Sequence, residues 1–186
     1  MRPTTLILAS ATVSIALLLA LGLVNPAYIA RLTGEPVVYP LAADIDVVSL
    51  AGESLSADGL RGDLLVLDFW ATWCGPCIAE IDDYNVLQRD YRSKGVRLVG
   101  VAVQSGTAES LRAFAAQYDI KYPVVAGTDE LWNRFVPPWG LPTTLLIDRQ
   151  WRVRRVWTGA GGRKMEQIRA ELDALLAVET GPARPD

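Results

Sequence analysis

The sequence predicts an α/β domain, a mixed central sheet flanked by helices, preceded by an apolar segment suited to a membrane. Three observations predict it. Apolar runs of strand length, LLVLDF from Leu64 and VRLVGVAV from Val96, alternate with segments of helical period. Two further strands, joined at Asp148-Arg149-Gln150, close the sheet as a hairpin. At the N-terminus, Thr5 to Val24 carries no charge. A composition of 51% hydrophobic and 21% charged residues is that of a packed core, so disorder over most of the 186 residues is excluded.

The segment TLILASATVSIALLLALGLV is about long enough, as a helix, to cross ~30 Å of hydrocarbon. A cleaved signal peptide and an uncleaved anchor are both open readings. Ala20-Leu21-Gly22 is a weak cleavage site, so the anchor is preferred. Arg2 and Arg31 flank the segment symmetrically and leave its orientation unspecified. Residues 1–30 are therefore assigned to a transmembrane segment and residues 31–40, rich in Pro and turn formers, to a linker. A folded domain follows over residues 41–178, with a disordered tail over 179–186.

Within the domain, Asp44–Leu50 and Ser54–Ser56 read as a short hairpin about Gly52. Leu64–Phe69 reads as a strand buried on both faces and ending in an acid at Asp68. Ile78, Ile81, Tyr84, Leu87 and Tyr91 recur at helical spacing, and Lys94-Gly95 ends that helix. Val96–Val103 is a second core strand. Leu111, Phe114 and Tyr118 mark a helix opened by Ser105-Gly106-Thr107, Tyr122–Ala126 a short strand, and Asp129–Phe135 a short helix. Thr143–Ile147 and Val153–Trp157 are the hairpin strands. The last helix carries Met165, Ile168, Leu172 and Leu176 on one face.

Composition narrows the chemistry. The chain has no histidine, which excludes an imidazole base or ligand, and its net charge of −3 has no clustered basic face to suit nucleic acid. The cationic residues are 15 Arg and 3 Lys (Lys94, Lys121, Lys164), a bias with no functional reading. The two cysteines stand three apart, Cys74 and Cys77. A bridge across so small a ring constrains little chain entropy, and a structural zinc site needs about four ligands that this chain cannot supply. The pair is therefore chemical. Cys74 follows a strand and opens a helix, where free backbone N–H groups stabilise a thiolate, so it is expected to be the exposed nucleophile. Cys77, one turn on and more shielded, is expected to resolve the mixed disulfide.

The string Trp73-Cys74-Gly75-Pro76-Cys77, together with Leu141-Pro142-Thr143-Thr144 before a core strand, resembles the thioredoxin superfamily over residues 41 to 178. The resemblance implies a thioredoxin-like fold with a cis Pro142 against the Cys74/Cys77 site and Leu141 offering its backbone to a substrate chain. Trp73, Gly75 and Pro76 would share that client-facing surface. The N-terminal anchor, a helix–strand–helix insertion over Gln104–Phe135 and Glu80 three residues after Cys77 are most similar to the membrane-tethered TlpA/ResA-like branch. Glu80 is either that branch's acid or a solvated residue of the first turn.

Three departures from that branch matter. Asp68 stands six residues before Cys74, where the branch often has Asn; as a buried acid it would take the proton of Cys77, the other reading being a strand-end acid in solvent. Val136-Pro137-Pro138-Trp139-Gly140 makes a stiffer loop before Pro142, with Trp139 toward substrate. Ile81-Asp82 stands where the proline that commonly follows the helical Glu is missing, so a less kinked helix is expected. Trp70 is expected in the core, Trp132, Trp151 and Trp157 in core or surface packing, and Arg152, Arg154 and Arg155 on a charged edge strand.

The Gly75-Pro76 dipeptide is that of thioredoxin and implies a reducing poise. The expected activity is reduction of protein disulfides outside the cytoplasm, from a bacterial inner-membrane anchor, or from the periplasm if the segment is cleaved. The resemblance implies a membrane thiol-reducing protein as electron donor and apocytochrome c or copper-site proteins as clients. No cofactor beyond the redox-active disulfide is expected. The alternatives are a redoxin-type peroxidase, which wants a Thr/Ser-x-x-Cys setting, and a copper(I) delivery module, for which Met1 and Met165 are the sole thioethers.

Overall fold

The computed structural model describes residues 37–38, 46–56, 63–129 and 140–179. The strands are β1 (Val37–Val38), β2 (Asp46–Val48), β3 (Ser54–Ser56), β4 (Leu64–Trp70), β5 (Val96–Ala102), β6 (Val124–Ala126), β7 (Thr143–Ile147) and β8 (Arg152–Thr158). The helices are α1 (Gly75–Ala79), α2 (Ile81–Tyr91), α3 (Ala108–Gln117) and α4 (Lys164–Glu179), with a 3-10 turn at Arg92–Lys94.

Six strands form one sheet in the order β1-β8-β7-β4-β5-β6, while β2 and β3 pair separately as the expected hairpin. Strands β4, β5 and β6 are parallel, and β7, β8 and β1 run antiparallel to their neighbours. Two continuous apolar runs, β4 and β5, pair along their whole length at the centre. Both faces of such strands must be covered, and two clusters of buried side chains do so. Alternation assigns the residues. Leu64, Val66 and Trp70 of β4, with Leu98 and Ala102 of β5 and Leu146 of β7, face the cluster that holds Tyr84, Leu87 and Tyr91 of α2, Leu111 of α3, and Ile168 and Leu172 of α4. Leu65, Phe69, Val99, Val101, Leu145 and Val153 face the opposite way, where Leu55 of the hairpin packs. By the same alternation Asp68, Gly100 and Thr144 lie on the first, helix-covered face, side by side in register.

Several boundaries differ from expectation for physical reasons. Val37–Val38, inside the segment read as linker, is a strand because it supplies β8 with hydrogen-bonding partners at Val153 and Arg152. β8 is accordingly not the sheet edge at its start. Its arginines find acids: Arg152 and Arg154 meet Asp148, and Arg155 meets Glu171. The helix after Cys77 is not continuous. It divides at Glu80, which caps α1 and precedes α2, although Ile81-Asp82 in place of a proline predicts a less kinked helix. Thr107 caps α3 by accepting from the Ser110 N–H, and Gly95 ends the Arg92–Lys94 turn at φ 80°, a value that glycine adopts without strain. The apolar segment 1–30, most of Asp129–Phe135, Trp132 and Trp139 lie outside the described residues; among those, no helix is long and apolar enough to cross a membrane.

Candidate active site

Strand β4 delivers its C-terminal end to a turn that the neighbouring β5 loop braces. The Val103 N–H donates to the Trp70 carbonyl at 2.9 Å. Ser105 is a two-way link: its hydroxyl donates to the Val103 carbonyl at 2.8 Å and accepts from the Thr72 N–H at 3.0 Å. The Trp73 indole N–H donates to the Gln104 carbonyl at 3.0 Å, and Gln104 holds a left-handed φ of 47° to present it. Trp73 is otherwise 62% exposed, a flat apolar surface pinned at one edge.

Cys74 is the residue at which the turn becomes helix. Its backbone is extended, φ −89° and ψ 97°, and its Sγ accepts from the Cys77 N–H at 3.3 Å, so the sulfur occupies the capping position at the start of α1. An acceptor in that position is stabilised most when it carries negative charge. Pro76 fits the first turn of the helix because no intrahelical bond is lost there. Cys74 and Cys77 are joined in a disulfide. The expected exposure of Cys74 is corrected: the residue is 6% exposed and Cys77 3%, so both are buried, Cys77 the more so, while Gly75 and Pro76 are exposed beside them. Burial follows from their place in the main apolar cluster, with Trp70, Ala71 and Tyr84.

Just before the neighbouring strand β7, the Leu141–Pro142 peptide bond is cis. Pro142 is buried, and its carbonyl accepts from the Gly159 N–H at 2.8 Å, tying the end of β8 to the start of β7. Thr143 donates to the Gly140 carbonyl at 2.8 Å, and Leu141, half-buried, packs against both apolar clusters.

The core cluster that holds Cys74 and Cys77 also holds Tyr84, whose hydroxyl belongs to a buried polar group that the sequence shows only in part. Asp68 is buried, not in solvent, and its Oδ1 is 3.0 Å from both the Tyr84 hydroxyl and Thr144 Oγ1; those two oxygens are 2.7 Å apart. Both hydroxyls can donate to an Asp68 carboxylate, and a protonated Asp68 can close the three oxygens into a ring. Burial raises the Asp68 carboxyl above its ordinary range, against lowering by the Lys164 charge and by the two hydroxyls. Glu80 is likewise no solvated first-turn residue. It is 7% exposed, and Lys164, 5% exposed, donates to its Oε2 at 2.7 Å. Burial raises Glu80 too, with Lys164 opposing. The Tyr84 and Tyr122 hydroxyls are pushed well up, first by burial and then by the charges of Asp68 and Glu80.

Tyr84, Thr144, Lys164, Ser105 and Gln104 were not expected in the site. A signal for Lys164 existed. With Ile168 and Leu172 it forms an i, i+4, i+8 series, which places a lysine on the buried stripe of α4. Tyr84 was read as a core position of its helix, and only the register of Asp68 against Thr144 shows what its hydroxyl meets. Among the described residues no three His, Cys, Asp or Glu side chains converge as a metal site.

A disulfide-bonded CxxC pair at a strand-to-helix turn, with a cis-proline at the start of the neighbouring strand β7 and a buried acid on the helix-covered face of this sheet, defines a thioredoxin-like thiol–disulfide protein. Comparison with known proteins agrees. The AhpC/TSA family profile matches residues 39–156, and the chain belongs to that family. It is 33% identical over 137 residues to a thiol-disulfide oxidoreductase ResA of Bacillus cereus, covering 73% of this chain and 74% of that protein. It is 32% identical over 136 residues to the thioredoxin-like protein YneN of Bacillus subtilis, covering 71% and 78%. A solved structure of a DsbE-type thiol:disulfide interchange protein from Chlorobium tepidum superposes with a TM-score of 0.61 at 29% identity, over 71% of this chain and 92% of that one. The protein is a thiol–disulfide oxidoreductase, and its clients are disulfide-containing proteins.

Proposed function

We propose that the protein works as a reductase of protein disulfides, with Cys74 as nucleophile and Cys77 as resolving thiol. The observation that carries this is the capping position of the Cys74 sulfur, which accepts the Cys77 N–H at the mouth of α1. A Cys74 thiolate attacks a client disulfide, forming the Cys74–client bond and releasing one client sulfur as thiolate. Cys77 then gives its proton to Asp68 and attacks Cys74 Sγ. The second client thiolate leaves with the bonding electrons, so the client is reduced and the pair oxidised. Asp68 suits this work because burial raises its carboxyl above the ordinary range, which makes its carboxylate a stronger base toward the Cys77 thiol.

Trp73, Gly75, Pro76, Leu141 and the Pro142 backbone form the surface that receives the client chain, which would lie across the exposed Trp73 ring. Residues 1–30 hold the domain on the outer side of a bacterial inner membrane as a single-pass anchor. Cleavage of that segment would leave the same domain in the periplasm. A reducing pair in that place draws its electrons from a membrane thiol-reducing protein. Apocytochrome c and copper-site proteins are the clients that fit this setting, through their paired cysteines.

The test is to express full-length Cys77→Ser in vivo and capture the mixed disulfides it leaves on Cys74. Release of a cysteine-paired secreted protein on reduction is the expected outcome, and recovery of apocytochrome c would assign a role in cytochrome maturation. If an intact Cys74 traps no protein, the reductase reading fails. A redox titration checks direction: the potential is expected near thioredoxin's, roughly −270 mV, and a value near DsbA's, roughly −120 mV, would reverse the electron flow.

A further inference from the structure

We propose that Lys164 is a positioning residue for the proton chemistry of the site: by pairing with Glu80 beside Asp68 it divides the two buried acids into a fixed anion and a proton acceptor. The inference rests on the reading of Asp68 as the acceptor for Cys77.

The geometry separates the two acids. Glu80 has the direct cation contact, 2.7 Å from Lys164 Nζ, at a position where both side chains are largely buried. Asp68 is contacted by the hydroxyls of Tyr84 and Thr144, which can donate to a carboxylate or close a ring with a protonated one. Desolvation makes a buried carboxylate costly, and two of them in one pocket are costlier still. One lysine offsets one of those charges. An ion pair this deep is weak evidence for stability, since replacement by apolar groups is often neutral or better, so its retention calls for another explanation. Placing the acids in different protonation equilibria supplies one.

The other charged and titratable groups facing the acids are accounted for. From α2 come Tyr84 and, toward Glu80, Asp83; from the segment before β6 comes Tyr122. The Lys164 ammonium also lies 5.6 Å from the centre of the Tyr84 ring, so the cation spans the space between the Glu80 carboxylate and the residue that binds Asp68. Both tyrosines are held in the neutral form. Lys164 is thus the cation whose charge opposes burial at both acids.

The sequence of events follows. When Cys77 releases its proton, Asp68 takes it and the group changes from net −1 to net 0, with Glu80 and Lys164 unchanged. When the proton leaves for solvent, the starting charge returns. Without Lys164 the acids compete for one proton, and Asp68 holds it before Cys77 can deliver one.

Carboxyl ¹³C titration of the reduced, full-length protein tests this apart from turnover. Asp68→Asn and Glu80→Gln assign the two resonances. Lys164→Met is expected to raise both midpoints by about one pH unit or more. In case that variant does not fold with an unpaired Glu80, the decisive pair is Glu80→Gln against Glu80→Gln/Lys164→Met, neither of which buries an unpaired Glu80. The Asp68 midpoint should be higher in the double variant by about one unit. Equal midpoints in that pair would overturn the inference. A wild-type Glu80 that titrates above Asp68 would overturn it as well. Failure of the reductase reading looks different: Cys77→Ser traps nothing while these midpoints still move.

Discussion

At the scale of single residues, Asp68 decides how the protein responds to pH. Its carboxyl is higher in the folded state than in an unfolded chain because burial outweighs Lys164 and the two hydroxyls. The folded state therefore binds that proton more tightly. Asp68 costs nothing below the ordinary carboxylate range, and stability falls as pH rises through its folded value. Asp68→Asn keeps an oxygen for Tyr84 and Thr144 but has no charge to bury. The variant is expected to gain on the wild type from about pH 4 upward, and the gap should level off once Asp68 is fully ionised. Urea midpoints across pH 4–9 measure it, and a gap independent of pH would show that ionisation of Asp68 is not its source. The importance of Asp68 was legible as an acid ending an apolar run. Its partners were not, because Tyr84 and Thr144 lie 16 and 76 residues away and only the folded register brings them together.

Among elements, the close packing of β4, β5 and the segment before β6 leaves no room for a side chain at Gly100. Gly100 pairs with Asp68 across the β4–β5 ladder and faces the same side. A Cβ there would lie 2.8 Å from Tyr122 Cε2 and 2.9 Å from Trp70 Nε1, both buried side chains. The indole N–H of Trp70 has no hydrogen-bond partner among the described residues, and it points at this gap. Gly100→Ala must push one ring or the other aside, at a cost of about 1–3 kcal/mol. A fall in the urea midpoint at constant slope is expected; a change under 0.5 kcal/mol, on the order of an ordinary surface substitution, would mean that the rings yield freely. The strands themselves were plain in the sequence, since β4, β5 and β7 are apolar runs bounded by turns. What pattern alone could not supply is why the helix breaks at Glu80. Periodicity continues through Ile78, Ile81 and Tyr84, and the division appears only where Glu80 turns inward to meet Lys164.

For the molecule as a whole, the C-terminal helix joins the core to the chemistry. Helix α4 crosses the same face that covers the cysteines: Ile168 and Leu172 are fully buried there, and Lys164, one turn before Ile168, reaches Glu80 across 84 positions of sequence. That face was legible as Met165, Ile168, Leu172 and Leu176, and Lys164 falls on the same stripe; its partner Glu80 was not legible, because long-range pairing of two charges leaves no periodic trace. The arrangement separates docking from proton control along one helix, and two substitutions should separate them in experiment. Leu172→Ala removes a buried side chain two turns from Lys164 and leaves a cavity, costing about 2–5 kcal/mol. The backbone of α4 stays docked through Ile168, so Lys164 keeps Glu80 and the pH dependence of Cys77 reactivity should stay as in the wild type. Lys164→Met should instead shift that pH dependence upward, together with a pH-dependent loss of stability because it leaves Glu80 buried and unpaired. Urea unfolding and the rate of Cys77 alkylation across pH, measured on both variants, decide between the two behaviours. Parallel shifts in both properties for Leu172→Ala would show that α4 positions the lysine by overall packing, and that docking and proton control are one function of the helix.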